Sequence, residues 1–245
     1  MEVSDISLKT LTVIPARGGS KGIPKKNLVD LEGKPLVAYA IEKAVLVSKE
    51  WPMDVLLSTD DISIKEVAES YGAWCPFLRP AELAKDNVES LPVVKHAAQA
   101  AEKERGYQYD LIVYLNPCGT LWRTADLVSC LDMLVNNKGI CYESAIAVTS
   151  VSTHPFRMKR LLQDGRLINY IDQGFEDMRP RQSLPPVYRR AGSIYASWRS
   201  VIFDKETLIG DPCYGLLVPP ETAVDINSFL DLELVRSLLK KNDQK

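Results

Sequence analysis

Short apolar runs alternate along this chain with longer segments in which apolar residues recur every three or four positions. The runs that fit short buried strands are Leu11–Ile14, Asp54–Asp61, Leu111–Leu115 and Ser144–Thr149. The periodic segments between them predict helices at Pro35–Leu46, Ile62–Tyr71, Leu91–Arg105 and Ala125–Val135. Because strands and helices alternate, the pattern predicts an α/β fold with a mainly parallel sheet and right-handed crossovers.

The periodic pattern weakens after Thr149. Between about Val151 and Met178 it gives way to short polar pieces, which predict an inserted, hairpin-rich excursion. A short strand is predicted from about Thr222, followed by a helix that ends near Leu239. A chain of 245 residues with 46% hydrophobic content can bury one sizeable core. We therefore expect residues 1–245 to form a single domain with an excursion at about 151–178.

Charge and cysteine content exclude several classes of protein. The net charge of −2 argues against nucleic-acid binding, which needs a basic surface. The five cysteines are odd in number and lack Cys-x-x-Cys spacing, so we expect reduced thiols rather than disulfides or a zinc site. The segment Met1–Asp5 is acidic with no apolar stretch behind it, and no run of about 18 apolar residues occurs. These features predict a soluble, cytoplasmic protein that does not bind membranes.

A glycine-rich, cationic loop follows the first predicted strand. Its glycines let backbone N–H groups approach an anion closely. The donors and charges of the loop are Arg17, Ser20, Lys21, Lys25 and Lys26. The spacing of Gly18, Gly19 and Gly22 fits neither the P-loop nor the dinucleotide fingerprint. The loop therefore predicts a polyphosphate site of another kind, and the alternative is a solvated basic surface loop.

Polar residues at the ends of three predicted strands supply further candidates. Arg17, Asp60 and Asn116 each follow a strand, and ligands of parallel sheets bind outside the carboxyl ends of the strands. We therefore expect these three side chains to converge on one crevice.

Four arginines lie within the twelve residues from Arg179 to Arg190. Arginine can bind a carboxylate or phosphate through paired N–H donors, and Arg181 and Arg189 are the candidates for this role. Arg179 and Arg190 can be explained as solvated charges.

The run Ala16–Asn27 resembles the signature loop of the acylneuraminate cytidylyltransferases, which make CMP-activated nonulosonic acids such as CMP-sialic acid. The resemblance extends from about Leu11 to about Leu239. It implies a Rossmann-like nucleotidyltransferase sheet with a small inserted dimerisation region, CTP as substrate and a homodimer. The nucleotide-binding residues that it implies are Ala16, Arg17, Gly18, Ser20, Lys21, Lys26, Asn27 and Asn116.

Two further motifs, Asn116–Thr124 and His154–Arg157, resemble the family with departures. Asn116–Thr124 resembles Leu-Gln-Pro-Thr-Ser-Pro-Leu-Arg-Thr, but it has one extra residue and asparagine in place of glutamine, and Asn116 could instead cap the turn before Pro117. In the family, the region matching the excursion forms the dimer contact and leans over the partner's active site. His154–Arg157 resembles the family's His-Pro-x-Lys, although Arg157 could be a simple surface charge.

Pro180–Pro185 matches the family's Pro-Arg-Gln-x-Leu-Pro. Arg189 matches the arginine that follows in the family pattern. The resemblance implies substrate-binding roles for Asn116, Arg157, Arg181, Gln182 and Arg189. Ala191 replaces an asparagine of the family pattern.

The predicted strand near the C-terminus carries Asp225 and Asn227, which project from the same face in strand geometry. The family usually has Asp-Ile-Asp here, a pair of magnesium ligands, so one carboxylate is missing. The resemblance implies a magnesium ion on Asp225 and Asn227, with Arg17, Lys21 and Asp225 as the catalytic residues. Asn227 or Ser228 could instead be only a helix N-cap.

The implied reaction is attack by the anomeric hydroxyl of a nonulosonic acid on the α-phosphate of CTP, with release of pyrophosphate. Positioning and electrostatics suffice for such a transfer, so no nucleophilic side chain is required. Three alternatives remain open. They are the same transfer to a 3-deoxy-octulosonic acid, a sugar-1-phosphate nucleotidyltransferase, and a non-catalytic sugar-nucleotide sensor that has lost the second aspartate.

Overall fold

A six-stranded mixed sheet forms the centre of the protein in a computed structural model that describes residues 8–137 and 139–242. The strands are β1 (Thr10–Pro15), β2 (Asp30–Leu31), β3 (Lys34–Pro35), β4 (Met53–Ser58), β5 (Leu111–Leu115), β6 (Ser144–Ser150), β7 (Lys159–Leu161), β8 (Leu167–Asn169), β9 (Tyr188–Trp198) and β10 (Cys213–Leu217). The α-helices are α1 (Leu36–Val47), α2 (Ile62–Ser70), α3 (Ser90–Arg105), α4 (Thr124–Val135), α5 (Arg199–Phe203) and α6 (Phe229–Asn242). The predicted α/β class is therefore confirmed.

The order of strands across the sheet is β10-β6-β9-β5-β1-β4. β1 is parallel to both β4 and β5, and β6 is parallel to β10. The predicted strands and helices between Leu11 and Thr149 all form, with ends that shift by no more than a few residues. The parallel arrangement brings the carboxyl ends of β1, β4 and β5 to one edge of the sheet, as the sequence predicts.

Neighbouring positions on a strand point to opposite faces of the sheet, and on the central strands both sets of positions are apolar. Apolar residues therefore cover both faces of the sheet. On β1, Ile14 packs in the cluster formed with α1, α2 and α4, whereas Val13 packs in the cluster formed with α3 and α5. Both side chains are fully buried. The central strands therefore read as continuous apolar runs, as expected for strands buried on both faces.

The antiparallel strand β9 is absent from the sequence prediction. It inserts between β5 and β6 and pairs with both. Its first residues, Tyr188 to Arg190, are exposed, and Gly192 has a φ of +85° beside a register shift opposite Ile146 and Val148. Arginines and a glycine thus interrupt the apolar pattern, although Ala191, Ile194 and Ala196 are buried. The edge strand β10 was also not predicted.

The strand predicted from Thr222 is wrong. Pro220–Thr222 forms a single 3-10 turn, and residues 223–228 are irregular before α6 begins. Asp225 and Asn227 are therefore not neighbours on one strand face. A third apolar cluster fixes the segment instead: Leu232 and Val235 of α6 pack with Ile226 and with Ile23 of the glycine-rich loop.

The hairpin of β7 and β8 forms a separate two-stranded sheet within the predicted excursion. Apolar side chains are exposed on and around it, namely Met158, Leu161, Leu167, Ile168, Tyr170, Ile171, Phe175 and Met178. The single-domain organisation and the dimerising role of this excursion stay predictions.

None of the helices in the described part of the chain combines the length and apolar character needed to cross a bilayer. The acidic segment Met1–Asp5 lies outside the described residues.

Candidate active site

A cavity of about 340 Å³ opens at the carboxyl ends of β1 and β5. Pro15 and Asn116 come from these strand ends. The glycine-rich loop contributes Arg17, Ser20, Lys21, Gly22, Lys26 and Asn27, and the segment that precedes and begins α3 contributes Arg79, Lys85, Asp86, Glu89 and Ser90. Cys118 and Asn227 complete the lining together with a few apolar side chains. The cations of this lining outnumber its carboxylates, Asp86 and Glu89, so the space is suited to an anionic ligand.

Hydrogen bonds from the strand ends fix the start of the glycine-rich loop. Ala16, fully buried, donates its backbone N–H to Ser58 O over 2.9 Å, and Gly18 N–H donates to Asp60 Oδ1 over 3.0 Å. The buried Asn27 donates its side-chain amide to Arg17 O over 2.9 Å. Asp60 therefore shapes the loop that carries Arg17.

The glycine-rich loop also contacts the segment that carries Asp225. Lys26 Nζ donates to Ile226 O over 2.7 Å, and Ile226 N–H donates to Cys118 O over 3.1 Å. A Cβ atom on Gly22 would lie 2.4 Å from Asn227 O, which only glycine avoids. The first and last motifs of the chain therefore meet at one end of the cavity.

Asp225 lies between two asparagine side chains. Asn116 Nδ2 donates to Asp225 Oδ1 over 3.2 Å, and Asn227 Nδ2 donates to Asp225 Oδ2 over 3.0 Å. Asn116 also accepts a hydrogen bond from Cys118 N–H through its Oδ1, as the turn-capping alternative requires. One amide thus both stabilises the turn and orients the carboxylate.

The cap of α6 does not need the Asn227 side chain. Ser228 Oγ accepts from Asp231 N–H, while Asp231 Oδ2 accepts from Asn227 N–H and Ser228 N–H. The hydrogen bond from Asn227 N–H, followed by the one from the Ser228 hydroxyl, holds the pKa of Asp231 below its usual range. The Asn227 amide is consequently available to Asp225.

The donor set at Asp225 fits a magnesium ion that also binds phosphate oxygens. Across residues 8–137 and 139–242, no group of three or more His, Cys, Asp or Glu side chains is placed to hold a metal. A carboxylate and an amide oxygen are the hard ligands that magnesium accepts, and the ion usually completes its shell with water and phosphate. Rotation of the Asn227 amide by half a turn presents its oxygen where its nitrogen now lies.

The predicted substrate-binding residues do not all reach this cavity. Arg181 donates to Val151 O over 2.7 Å and lines a separate hollow of about 170 Å³, and Gln182 beside it is exposed. Arg157, also exposed, donates to Arg179 O over 2.5 Å. Arg189 donates to Ala223 O over 3.0 Å and so contacts the segment before Asp225. The predicted site is therefore split between two regions of this chain.

Charged lining residues such as Arg79 and Asp86 were not predicted because the segment Arg79–Ser90 reads only as a polar loop. Arg79 is 6% exposed and donates from Nε to Ser58 Oγ over 3.1 Å. Burial lowers the pKa of its guanidinium to about 10. Asp86 forms ion pairs with Arg17 and Lys21. No spacing in the sequence marks either residue, since both reach the cavity through tertiary contacts.

Lys43 of α1 holds the turn that follows Asn116. Its Nζ donates to Thr120 O over 2.6 Å and to Trp122 O over 2.8 Å. Burial lowers the pKa of this ammonium to about 8. The buried ammonium thus holds this turn in place, and the free-energy cost of burying its charge depends on pH.

This cost predicts a pH-dependent stability. The unfolded lysine has a pKa of about 10.4, so between about pH 8 and 10.4 the unfolded state binds more protons and the cost of burying the charge disappears as pH rises. We expect the free energy of unfolding of the wild type to rise, relative to Lys43→Met, by on the order of 1–2 kcal/mol from about pH 7 to about pH 9.5. Urea unfolding of both proteins at several pH values measures this difference. If the free energies of unfolding of the two proteins changed in parallel with pH, the prediction would be contradicted.

The fold and the cavity define an α/β protein with a ligand-sized cavity and a glycine-rich, cationic loop at the carboxyl end of its first strand. The sequence profile of the family described as Cytidylyltransferase matches residues 11–118. The chain is 30% identical, over 97% of its length and 99% of the relative's, to the pseudaminic acid cytidylyltransferase of Campylobacter jejuni. It is 27% identical, over 97% and 99%, to the CMP-N,N'-diacetyllegionaminic acid synthase of Legionella pneumophila.

Among solved structures, a CMP:2-keto-3-deoxy-manno-octonic acid synthetase complexed with CTP has the same fold. Its TM-score is 0.66 at 19% identity, covering 96% of this chain and 99% of that one. The chain belongs to the cytidylyltransferase family that includes the CMP-nonulosonic acid synthetases. The resemblance drawn from the sequence motifs is confirmed.

Proposed function

We propose that the protein transfers CMP from CTP to the anomeric hydroxyl of a nonulosonic acid and releases pyrophosphate. The observation that carries this is the contact between the cationic glycine-rich loop and the Asp225 segment, made by Lys26 and Gly22. In this proposal the cations of the loop neutralise a triphosphate in the cavity, and Asp225, which contacts Asn116 of the lining, would hold its metal. The family membership and the relatives that act on pseudaminic and legionaminic acids support the choice of acid.

Arg17, Lys21 and Lys26 bind the β- and γ-phosphates in this proposal. All three line the cavity together with Ser20. As the bond to the α-phosphate breaks, negative charge grows on the leaving pyrophosphate, and fixed cations there lower the barrier. The protein's part is to position and neutralise, so the reaction needs no covalent intermediate.

Asp225 and Asn227 hold a magnesium ion in the proposed complex. When bound, magnesium neutralises phosphate charge and orients the α-phosphate for in-line attack. Asn116 orients the Asp225 carboxylate from the other side. With one carboxylate in place of two, the protein binds the ion weakly by itself, and the ion arrives mainly with CTP.

Among the arginines predicted to bind the substrate, Arg189 is the best placed to bind the acid. It lies at the start of β9 and contacts Ala223, two residues before Asp225. Arg157, Arg181 and Gln182 lie away from the cavity of their own chain. We assign them to the cavity of a second copy, with the exposed apolar residues around β7 and β8 as the contact of a homodimer. We place this dimer in the cytoplasm, where CTP is made.

The test is a substrate panel. The protein is incubated with CTP, magnesium and pseudaminic, legionaminic, N-acetylneuraminic or 3-deoxy-octulosonic acid, and CMP-sugar and pyrophosphate are measured by mass and by a coupled assay. We expect product with at least one nonulosonic acid. If only the octulosonic acid gave product, that acid would be the substrate instead of a nonulosonic acid. CTP binding without product from any acid would favour a sensor.

Replacing Arg189 with lysine should weaken recognition of the acid, because lysine keeps the charge and loses the paired donors. We expect KM for the acid to rise at least about tenfold, with KM for CTP changed less than about twofold. The neighbouring Arg190→Lys is the control, because Arg190 is also exposed and we assign it no role in binding the acid. Steady-state kinetics give KM for the acid and for CTP in both variants, and melting temperatures show that both are folded. An equal KM for the acid in the two variants would count against a role of Arg189 in binding the acid.

A further inference from the structure

We propose that the Asp86 carboxylate occupies the phosphate-binding cations in the nucleotide-free protein and is displaced when CTP binds. Asp86 thereby sets the affinity for the nucleotide. The inference rests on the proposed function, since it takes Arg17 and Lys21 to be triphosphate ligands.

The geometry at Asp86 imitates a bound phosphate. Its Oδ1 lies 2.8 Å from Arg17 Nη2, and its Oδ2 lies 2.8 Å from Lys21 Nζ. One oxygen thus serves each cation, as two oxygens of a phosphate group would. The hydrogen bond from Lys21 is the largest of the causes that hold the pKa of Asp86 below its usual range, so the carboxylate is charged at neutral pH.

The two ion pairs join two segments of the cavity lining. Arg17 and Lys21 belong to the glycine-rich loop, whereas Asp86 lies between the 3-10 turn Ala81–Ala84 and α3. A phosphate that binds both cations competes for the donors that Asp86 now uses. Binding of the triphosphate therefore requires these pairs to open or to be shared.

The exposure of the three side chains makes this exchange easy. Their exposed fractions are 42% for Asp86, 32% for Arg17 and 82% for Lys21. Ion pairs between exposed groups contribute little to stability because water and salt screen them. A triphosphate carries several negative charges and has more oxygens than one carboxylate, so it prevails over Asp86. In its absence Asp86 reduces the repulsion between Arg17 and Lys21.

The other charged groups lining the cavity allow the effect of Asp86 to be separated from general electrostatics. Lys26, Arg79 and Lys85 add positive charge, and Glu89 adds a second carboxylate. Within the described part of the chain Glu89 forms no ion pair, although it lines the same cavity. Glu89→Gln therefore removes the same charge as Asp86→Asn without freeing Arg17 or Lys21.

The experiment measures binding of CTP and of inorganic pyrophosphate, each with magnesium, by isothermal titration calorimetry. We expect Asp86→Asn to lower Kd for both probes by about threefold to tenfold, and Glu89→Gln to lower it by less than about twofold. In a Lys21→Ala background the gain from Asp86→Asn should shrink, because one of the two competing pairs is already gone. Melting temperatures confirm that each variant is folded.

Unchanged or weaker binding in Asp86→Asn would overturn the proposal, and weaker binding would make Asp86 a ligand of the nucleotide complex. An equal gain in Glu89→Gln would also overturn it, since the effect would then be one of net charge. These outcomes leave the proposed function intact as long as the wild type binds CTP. A wild type that does not bind CTP would remove the proposed function, and this inference with it.

Discussion

Asp225→Asn should lose most CMP-transfer activity, by at least about a hundredfold in kcat. Asp225 is the carboxylate held between Asn116 and Asn227 where the last motif meets the glycine-rich loop. Asparagine keeps the size of the side chain but removes the negative charge that magnesium needs, and it offers one acceptor oxygen where the carboxylate accepts from both Asn116 and Asn227. The loss should therefore appear in activity and magnesium dependence, with the fold unaffected.

Asn227→Asp provides the complementary variant. A second carboxylate restores two charged magnesium ligands, so we expect activity to persist and the magnesium concentration for half-maximal rate to fall. Two carboxylates close together repel each other without metal, so magnesium should also raise the melting temperature of this variant more than that of the wild type. The thermal readout needs no substrate.

The measurement is a magnesium titration of CMP-sugar formation at fixed CTP for the wild type and both variants. If Asn227 served only as a helix cap, aspartate would replace it without moving the magnesium dependence. Ser228 and Asp231 already provide that cap. A fully active Asp225→Asn protein would refute the assignment of Asp225.

Removing either cation of the glycine-rich loop is the second large expected effect. Arg17→Ala and Lys21→Ala should each lower kcat/KM for CTP by at least about tenfold, which corresponds to roughly 1.4 kcal/mol of transition-state stabilisation. Both side chains line the cavity. Lys21 is highly exposed in the nucleotide-free protein, so its loss should cost activity and hardly any stability.

Lys25→Ala is the matched control for this pair. Lys25 lies in the same loop with a φ of +49°, but it is not part of the cavity lining. Its loss removes one positive charge near the site, and we expect kcat/KM to change by less than about threefold. Unchanged CTP kinetics in both Arg17→Ala and Lys21→Ala, with folding intact, would contradict a triphosphate role for the loop.

The parallel half of the fold could be predicted from the sequence because its signals are local. Each of β1, β4, β5 and β6 is an apolar run flanked by an amphipathic helix, and burial on both faces makes such runs easy to detect. The glycine-rich loop could also be predicted, because its glycines and cations follow β1 directly. The order of strands along the chain then implied which strand ends lie at one edge of the sheet.

Tertiary structure alone decided the features that depend on distant partners. β9 forms because β5 and β6 leave a position between them, and pairing on both sides outweighs its weak apolar pattern. The Asp225 segment, predicted as a strand, is irregular because Cys118, Lys26 and the apolar cluster with α6 hold it. The same long-range packing puts Arg79 and Asp86 in the cavity and leaves Arg181 outside it. The sequence alone thus determined where the glycines and cations of the loop lie, after the first strand, and only the packing decided which residues surround the loop, because those contacts join positions far apart in the chain.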